Sequence, residues 1–230
     1  VIVATSNVAP GDLYSDGLNR DLFLPFIDVL QAQMEIVSVD GEVDHRLRAL
    51  EGRSTYFAPL GPAADTQMRG LWQDLTGTEY GQPATLAIAG RQIAIPHAHG
   101  RAAMGDFGDW FDFDGWSGQA LGASDYLVMV EAYEWIFVRN VPVMGPDKNN
   151  AARRFVTFID AVYDVGRQVV ITAEAEPSDL YVHGPGANLF ERTASRLIEM
   201  RVANPADIDA RYKQSRTQAL REKPWAMPPV

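Results

Sequence analysis

Residues 135–172 read WIFVRNVPVMGPDKNNAARRFVTFIDAVYDVGRQVVIT. Trp135–Arg139 and Gln168–Thr172 are apolar runs without strict alternation, the pattern of strands covered on both faces. Between them, Phe155, Phe158, Ile159 and Val162 recur at helical spacing along Ala151–Tyr163. Strand, helix and strand in that order form a βαβ unit, with parallel strands and a right-handed crossover. The fold class is therefore α/β. Upstream, a helix over 124–134 with Ser124 as its N-cap precedes the unit. Downstream, Phe190, Thr193, Ala194, Leu197 and Ile198 mark a helix over 189–201. Residues 205–223 read as a polar, mixed-charge helix, followed by a tail.

The same alternation appears at the start of the chain. Residues 1–6 are a short buried strand, and Glu35–Asp40 is a second one. Phe23, Phe26, Ile27, Leu30 and Met34 give a helix over 21–34 one apolar face, with Pro25 early, where a missing N–H costs least. A helix over 62–76 buries Ala64, Met68, Leu71, Trp72 and Leu75. Thr85–Ile88 and Gln92–Ile95 form a β-hairpin about Ala89-Gly90-Arg91, and residues 96–122 read as irregular. The chain opens in mid-strand at Val1, so the sequence carries an expectation of further chain upstream.

The bulk composition narrows the function. The chain has 230 residues, 47% of them apolar and 10% aromatic, which describes a folded globule. A net charge of −10 repels nucleic acid and anionic lipid unless a basic patch forms locally. There is no cysteine, which excludes disulfides, thiolate zinc sites and a cysteine nucleophile. No apolar run approaches the ~20 residues of a membrane-spanning helix.

Residues 4–17, ATSNVAPGDLYSDG, echo residues 171–184, ITAEAEPSDLYVHG, at an offset of 167. Six of fourteen positions coincide, where average residue usage gives about one. Each copy follows a buried strand and precedes an amphipathic helix, so one βα module is used twice, with Glu174 standing where the first copy has Asn7. The plainer reading is that Pro-x-Asp-Leu-Tyr is a common way to end a strand and begin a helix.

Several residues could carry chemistry. Asn7 lies past the carboxyl end of a strand, where open α/β sheets hold ligands. There it can fix a water or a phosphate oxygen, or merely satisfy the loop backbone. Arg20, just before a helix, can reach across an interface to phosphate, or pair locally with Asp16 or Asp21. Arg153 and Arg154 open a helix, where the macrodipole disfavours cations unless an anion offsets them. The plain alternative is a surface pair. Asp106, Asp109, Asp112 and Asp114 lack a complete calcium-loop pattern and read as an acidic, aromatic hairpin. His97 and His99 lack a third metal ligand and read as a loop pair. No G-x-x-x-x-G-K-[ST] phosphate loop, G-x-S-x-G elbow or H-E-x-x-H pair occurs in the 230 residues.

A wider set of residues carries a family likeness. Ala4-Thr5-Ser6-Asn7, Pro10, Asp12-Leu13-Tyr14, Gly17-Leu18-Asn19-Arg20 and Phe23-Leu24-Pro25-Phe26-Ile27 resemble the central block of the ZapE-type ATPases. These are cell-division-associated AAA+ proteins of bacteria, with mitochondrial relatives. The likeness continues through Asp44-His45-Arg46-Leu47-Arg48, Tyr56-Phe57-Ala58-Pro59-Leu60, Asp125-Tyr126, Ala152-Arg153-Arg154-Phe155 and Phe190-Glu191-Arg192, ending near Met200. It departs around Gly115-Trp116-Ser117 and after residue 201.

The resemblance implies the C-terminal portion of a RecA-like P-loop AAA+ ATPase core, a small lid with the β-hairpin, and a second βαβ unit. In that layout residues 1–50 complete the ATPase core, 51–122 hold the lid helix and hairpin, 123–201 hold the second α/β unit, and 202–230 are a polar helix and tail. Asn7 then matches the sensor that positions the attacking water. Arg20 matches an arginine finger offered to a neighbouring subunit, and Arg153 or Arg154 a second phosphate-sensing arginine. The resemblance also implies ATP and Mg²⁺ in the full-length parent, self-association as a ring or transient oligomer, and remodelling of a protein partner. It places such a protein in the cytoplasm, recruited to the inner membrane face at the division site. This chain, without the P-loop and Walker B segments, is expected not to hydrolyse ATP by itself. The competing expectation is a complete, non-catalytic α/β adaptor in which Arg20 is a surface residue.

Overall fold

The computed structural model describes residues 10–13, 20–34, 36, 50–88, 90–112, 119 and 121–203. The chain forms two compact units, residues 1–42 and 43–230. In the first, single 3₁₀ turns at Pro10–Asp12 and Arg20–Leu22 precede α1 (Leu24–Gln33), which has proline in its opening turn as expected. The strand expected at 1–6, the helix expected at 205–223 and, apart from Ile36, the strand expected at 35–40 lie outside the described residues.

The second unit is built on a six-stranded sheet in the order β1-β6-β5-β4-β3-β2. Its strands are β1 (Tyr56–Phe57), β2 (Gln82–Ile88), β3 (Arg91–His99), β4 (Ala102–Asp106), β5 (Trp135–Val141) and β6 (Gln168–Ala173). β1, β6, β5 and β4 run parallel to one another, while β3 and β2 continue the sheet antiparallel. The helices of this unit are α2 (Pro62–Thr76), α3 (Phe107–Trp110), α4 (Ala123–Ala132), α5 (Asn149–Val165) and α6 (Ala187–Glu199). The parallel pairing of β5 and β6 around α5 is the βαβ unit expected from residues 135–172.

The two faces of the sheet carry two cores. Trp135 and Phe137 of β5 pack with Val170, Met104 and Phe57 against Met68 and Trp72 of α2. Ile136 and Val138, with side chains alternating to the other face, pack with Val169 and Ile171 against Met129 of α4, Phe158 of α5 and Leu197 of α6. Covering on both sides explains why these strands read as continuous apolar runs.

The structure departs from the sequence reading in several places. Residues 96–122 are not wholly irregular, because β4 pairs with both β3 and β5. That pairing joins the hairpin and the βαβ unit in one sheet, across the division drawn at residue 122. The hairpin strands also run longer than expected. Ser124 is not the cap of α4. Gly122 is, and its N–H donates to the Asp125 carboxylate at 2.8 Å. Asp106 and Asp109 do not sit in a hairpin but close the start of α3, where the Asp106 N–H donates to Asp109 at 2.8 Å. His97 and His99 lie on β3 rather than in a loop.

Candidate functional site

The echo seen in the sequence has a counterpart in the backbone. Pro10–Asp12 and Pro177–Asp179, at matching places in the two copies, each form a single 3₁₀ turn. Proline fixes φ for such a turn, and the aspartate follows at its end. In the second copy the turn follows β6 directly, which places residues 174–180 at the carboxyl edge of the parallel strands.

In the first unit, the Arg20 guanidinium donates to the Gly11 carbonyl at 2.8 Å. Its Nε is buried without a hydrogen-bond partner. Among the described residues Arg20 makes no ion pair, and Asp21 is exposed. The Pro10–Asp12 turn and the residue proposed as a finger are thus in direct contact within one unit. Asn7, the other candidate catalytic residue, lies outside the described residues.

Arg153 and Arg154 take different environments. Arg154 is half-buried, and its guanidinium donates to the Phe111 carbonyl at 3.0 Å, fixing the chain just after α3. Arg153 is exposed and makes no ion pair among the described residues. It lines a cavity of about 310 Å³ with Ala152, Val156, Tyr181, Gly186 and Leu189. This cavity lies between the first turns of α6 and residues 152–157 of α5, a helix that begins at Asn149, so Arg153 and Arg154 sit in its second turn and do not open it as expected. Neither helix has an acidic residue in its first turn. Farther along the same helix pair, Arg196 is buried and pairs with Asp160 and, at 3.0 Å, with Asp164. Its guanidinium also lies 4.5 Å from the Tyr163 ring centre. The Tyr163 hydroxyl donates to Glu199 at 2.9 Å.

Sequence reasoning missed a polar cluster at the carboxyl ends of β4, β5 and β6. Arg139 and the Asn140 side chain each donate to Asp106 at 2.9 Å. Asn140 has φ +57°, a left-handed conformation that asparagine tolerates better than most residues. Its N–H donates to the hydroxyl of the buried Thr172 at 3.0 Å. Glu174, which stands in the place of Asn7, accepts the Val143 N–H at 2.7 Å and so holds the loop leaving β5. The signal that could have found this cluster was polar residues ending two apolar strands. Here they tie three strand ends to one another, which leaves Asp106 and Glu174 engaged within the protein.

Among the described residues no three His, Cys, Asp or Glu side chains come together as a metal site. Asp112 pairs with Lys148, while Asp114 lies outside the described residues. A triphosphate with Mg²⁺ calls for converging amides, a lysine and a carboxylate or hydroxyl on the metal. Arg20 on a carbonyl and Arg153 in a mostly apolar cavity do not supply that set. No described helix is long and apolar enough to cross a membrane.

Comparison with known proteins agrees with the likeness read from the residues. The chain is 35% identical over 179 residues to Lactation elevated protein 1 homolog B of Danio rerio, covering 76% of this chain and 34% of that protein. It is 31% identical over 199 residues to Cell division protein ZapE of Escherichia coli strain K12, covering 86% of this chain and 52% of ZapE. An uncharacterized Schizosaccharomyces pombe protein, C115.02c, is 30% identical over 188 residues, covering 80% of this chain and 40% of that protein. The chain thus spans about a third to a half of the length of the curated relatives it matches. No solved structure matches it. Residues 1–207 match the AFG1-like ATPase family, and the chain, an α/β protein, belongs to that family.

Proposed function

We propose that this chain is the C-terminal part of an AAA+ ATPase whose parent couples ATP hydrolysis, with Mg²⁺, to remodelling of a protein partner. The observation that carries the reading is the family match over residues 1–207, which includes the Ala4–Arg20 block where both catalytic candidates lie. In this reading Asn7 orients the attacking water. Arg20 exchanges its bond to the Gly11 carbonyl for the γ-phosphate held by a neighbouring subunit of a ring or transient oligomer. Arg153 is the better placed of the two arginines to meet an anion, since Arg154 holds the Phe111 carbonyl. The ZapE relative is named a cell division protein, which supports a division-site partner and a cytoplasmic parent. The chain by itself, without a P-loop lysine, contributes the finger and sensor and does not turn over ATP.

The adaptor reading draws its support from Arg20 itself, whose guanidinium is already bonded inside its own unit. Arg20→Ala in the full-length parent separates the two. A finger supplied in trans contributes about 10³–10⁵ in rate. Steady-state turnover should fall toward that extent, while nucleotide affinity stays near that of the unsubstituted protein. Unchanged turnover, or a loss confined to affinity, would favour the adaptor.

A further inference from the structure

β2 (Gln82–Ile88) is the last strand of the sheet among the described residues, so its outer edge carries no partner strand there. The hydrogen bonds of its neighbour show which groups line that edge. Ala94 of β3 stands opposite Thr85 in the register. Its N–H donates to the Gln119 side chain at 2.8 Å, and its carbonyl accepts from the same amide at 3.0 Å. Both groups of Ala94 therefore point away from β2. In an antiparallel pair, opposed residues either exchange both bonds or neither. Thr85 thus turns its N–H and carbonyl outward, and Ala87, two positions on, does the same. Both residues are exposed. Ala84, Leu86 and Ile88 alternate to the other face, where they are half-buried against the core that holds Ile93 and Ile95. Natural proteins commonly guard such an edge with charged side chains. Gln82–Ile88 contains no charged residue, and Pro83 guards only its beginning.

We propose that the β2 edge pairs with the β2 edge of a second copy of this chain, antiparallel about a two-fold axis at Leu86, giving one continuous sheet. The strand is complementary to itself in that register. Thr85 meets the second copy's Ala87, and Ala87 meets its Thr85, so each pair exchanges both backbone bonds and satisfies the outward groups. On the core face Leu86 meets Leu86, and Ile88 meets the smaller Ala84. Large and small side chains thus match across the join, and the apolar layer continues from one copy to the next. Charge selects the same occupant. The chain carries −10, which opposes self-association over most of its surface, while this strand is neutral and brings no like charges face to face. Pro83 and the register irregularity between Gln82 and Ala84 stop the pairing at that end. A two-fold contact uses each edge once and closes, so it makes a dimer and not a filament. One strand edge falls short of the ~1,200 Å² of a stable interface, so the dimer is weak and concentration-dependent. The contact involves no nucleotide and no head-to-tail ring geometry, so it stands or falls separately from the ATPase reading.

Sedimentation equilibrium of the chain from micromolar to millimolar concentration tests it, with amide hydrogen exchange read alongside. A monomer–dimer equilibrium is expected. Protection of the Thr85 and Ala87 amides should rise with the dimer fraction, while the Leu86 and Ile88 amides, which face β3, stay protected throughout. Thr85→Lys and Ala87→Glu should each weaken the dimer about fivefold. An equal mixture of the two variants should restore it, because the lysine of one copy then faces the glutamate of the other. Gln92→Lys, the same charge change as Thr85→Lys but on the exposed face of β3, should leave association unchanged. A chain that stays monomeric would overturn the proposal, as would Thr85 and Ala87 amides already protected in the dilute monomer. So would a dimer that the two edge variants leave intact, a mixture no tighter than its components, or an equal effect of Gln92→Lys. Protection of the two amides in a chain that stays monomeric, brought on by an added neutral, extended peptide, would give the edge to a partner's strand instead.

Discussion

Individual polar residues show how little of a side chain's role is visible from its type. Arg153 and Arg154 are neighbours in sequence, yet one holds the Phe111 carbonyl and the other lines a cavity. Helical geometry separates adjacent side chains by about 100°, and only packing decides which direction meets protein. Asp125 is the clearest case. It is fully buried, accepts the Gly122 N–H at 2.8 Å, and pairs with Arg91, whose side chain is half exposed. Removing the arginine strands a buried carboxylate, which costs more than losing a surface pair. Arg91→Ala should therefore destabilise by about 2 kcal/mol, discounted from a fully buried pair because Arg91 is partly solvated. Adding Asp125→Asn, which keeps an acceptor for Gly122 but carries no charge, should return at least half of that loss. Urea midpoints of the two variants give the comparison.

At the scale of elements, periodicity was a good guide wherever an element packs through a long apolar face. The helix expected at 62–76 is α2 to the residue, and α5 extends the expected 151–163 by two positions at each end. β4 escaped because its sequence, Ala102-Ala103-Met104-Gly105-Asp106, is made of small residues with little strand propensity. Tertiary contact explains that choice. A Cβ on Gly105 would lie 2.8 Å from Cζ2 of the fully buried Trp110, so the indole of α3 occupies the space a side chain would need. Gly105→Ala should cost about 1–3 kcal/mol through overpacking. Gly108→Ala, on the exposed side of the same short helix with nothing within 4 Å, should change stability little. Thermal unfolding of the pair would separate close approach from a general preference for glycine. The echo belongs to this scale too. Two segments 167 residues apart share a Pro-x-Asp pattern and form the same turn, which is local chemistry written twice.

For the whole molecule, three tyrosines limit the alkaline range. Burial raises the hydroxyl pKa of Tyr56, Tyr126 and Tyr133 above the ordinary 10.0, with the Glu176 carboxylate adding to the effect at Tyr56. Unfolded tyrosines lose their protons from about pH 10 while the folded ones keep theirs. Their contribution is complete below pH 10 and drains as pH rises above it. Tyr126→Phe should cost about 1 kcal/mol at neutral pH, for the hydrogen bond to the Trp110 carbonyl at 2.9 Å. It should also flatten the loss of stability above about pH 10, measured by urea unfolding across that range. The sequence by itself determined the α/β class, the βαβ unit, the family and the repeated turn. The class, the unit and the turn follow from local patterns of burial and backbone preference that persist whatever the rest of the chain does, and the family from motifs the chain shares with its relatives. Only the tertiary structure decided that the hairpin and the βαβ unit share one sheet, that Asp106 and Glu174 tie strand ends together, and that Arg153 stands apart from Arg154. Strand order and side-chain pairing depend on which surfaces meet across long sequence separations, and no local period encodes that meeting.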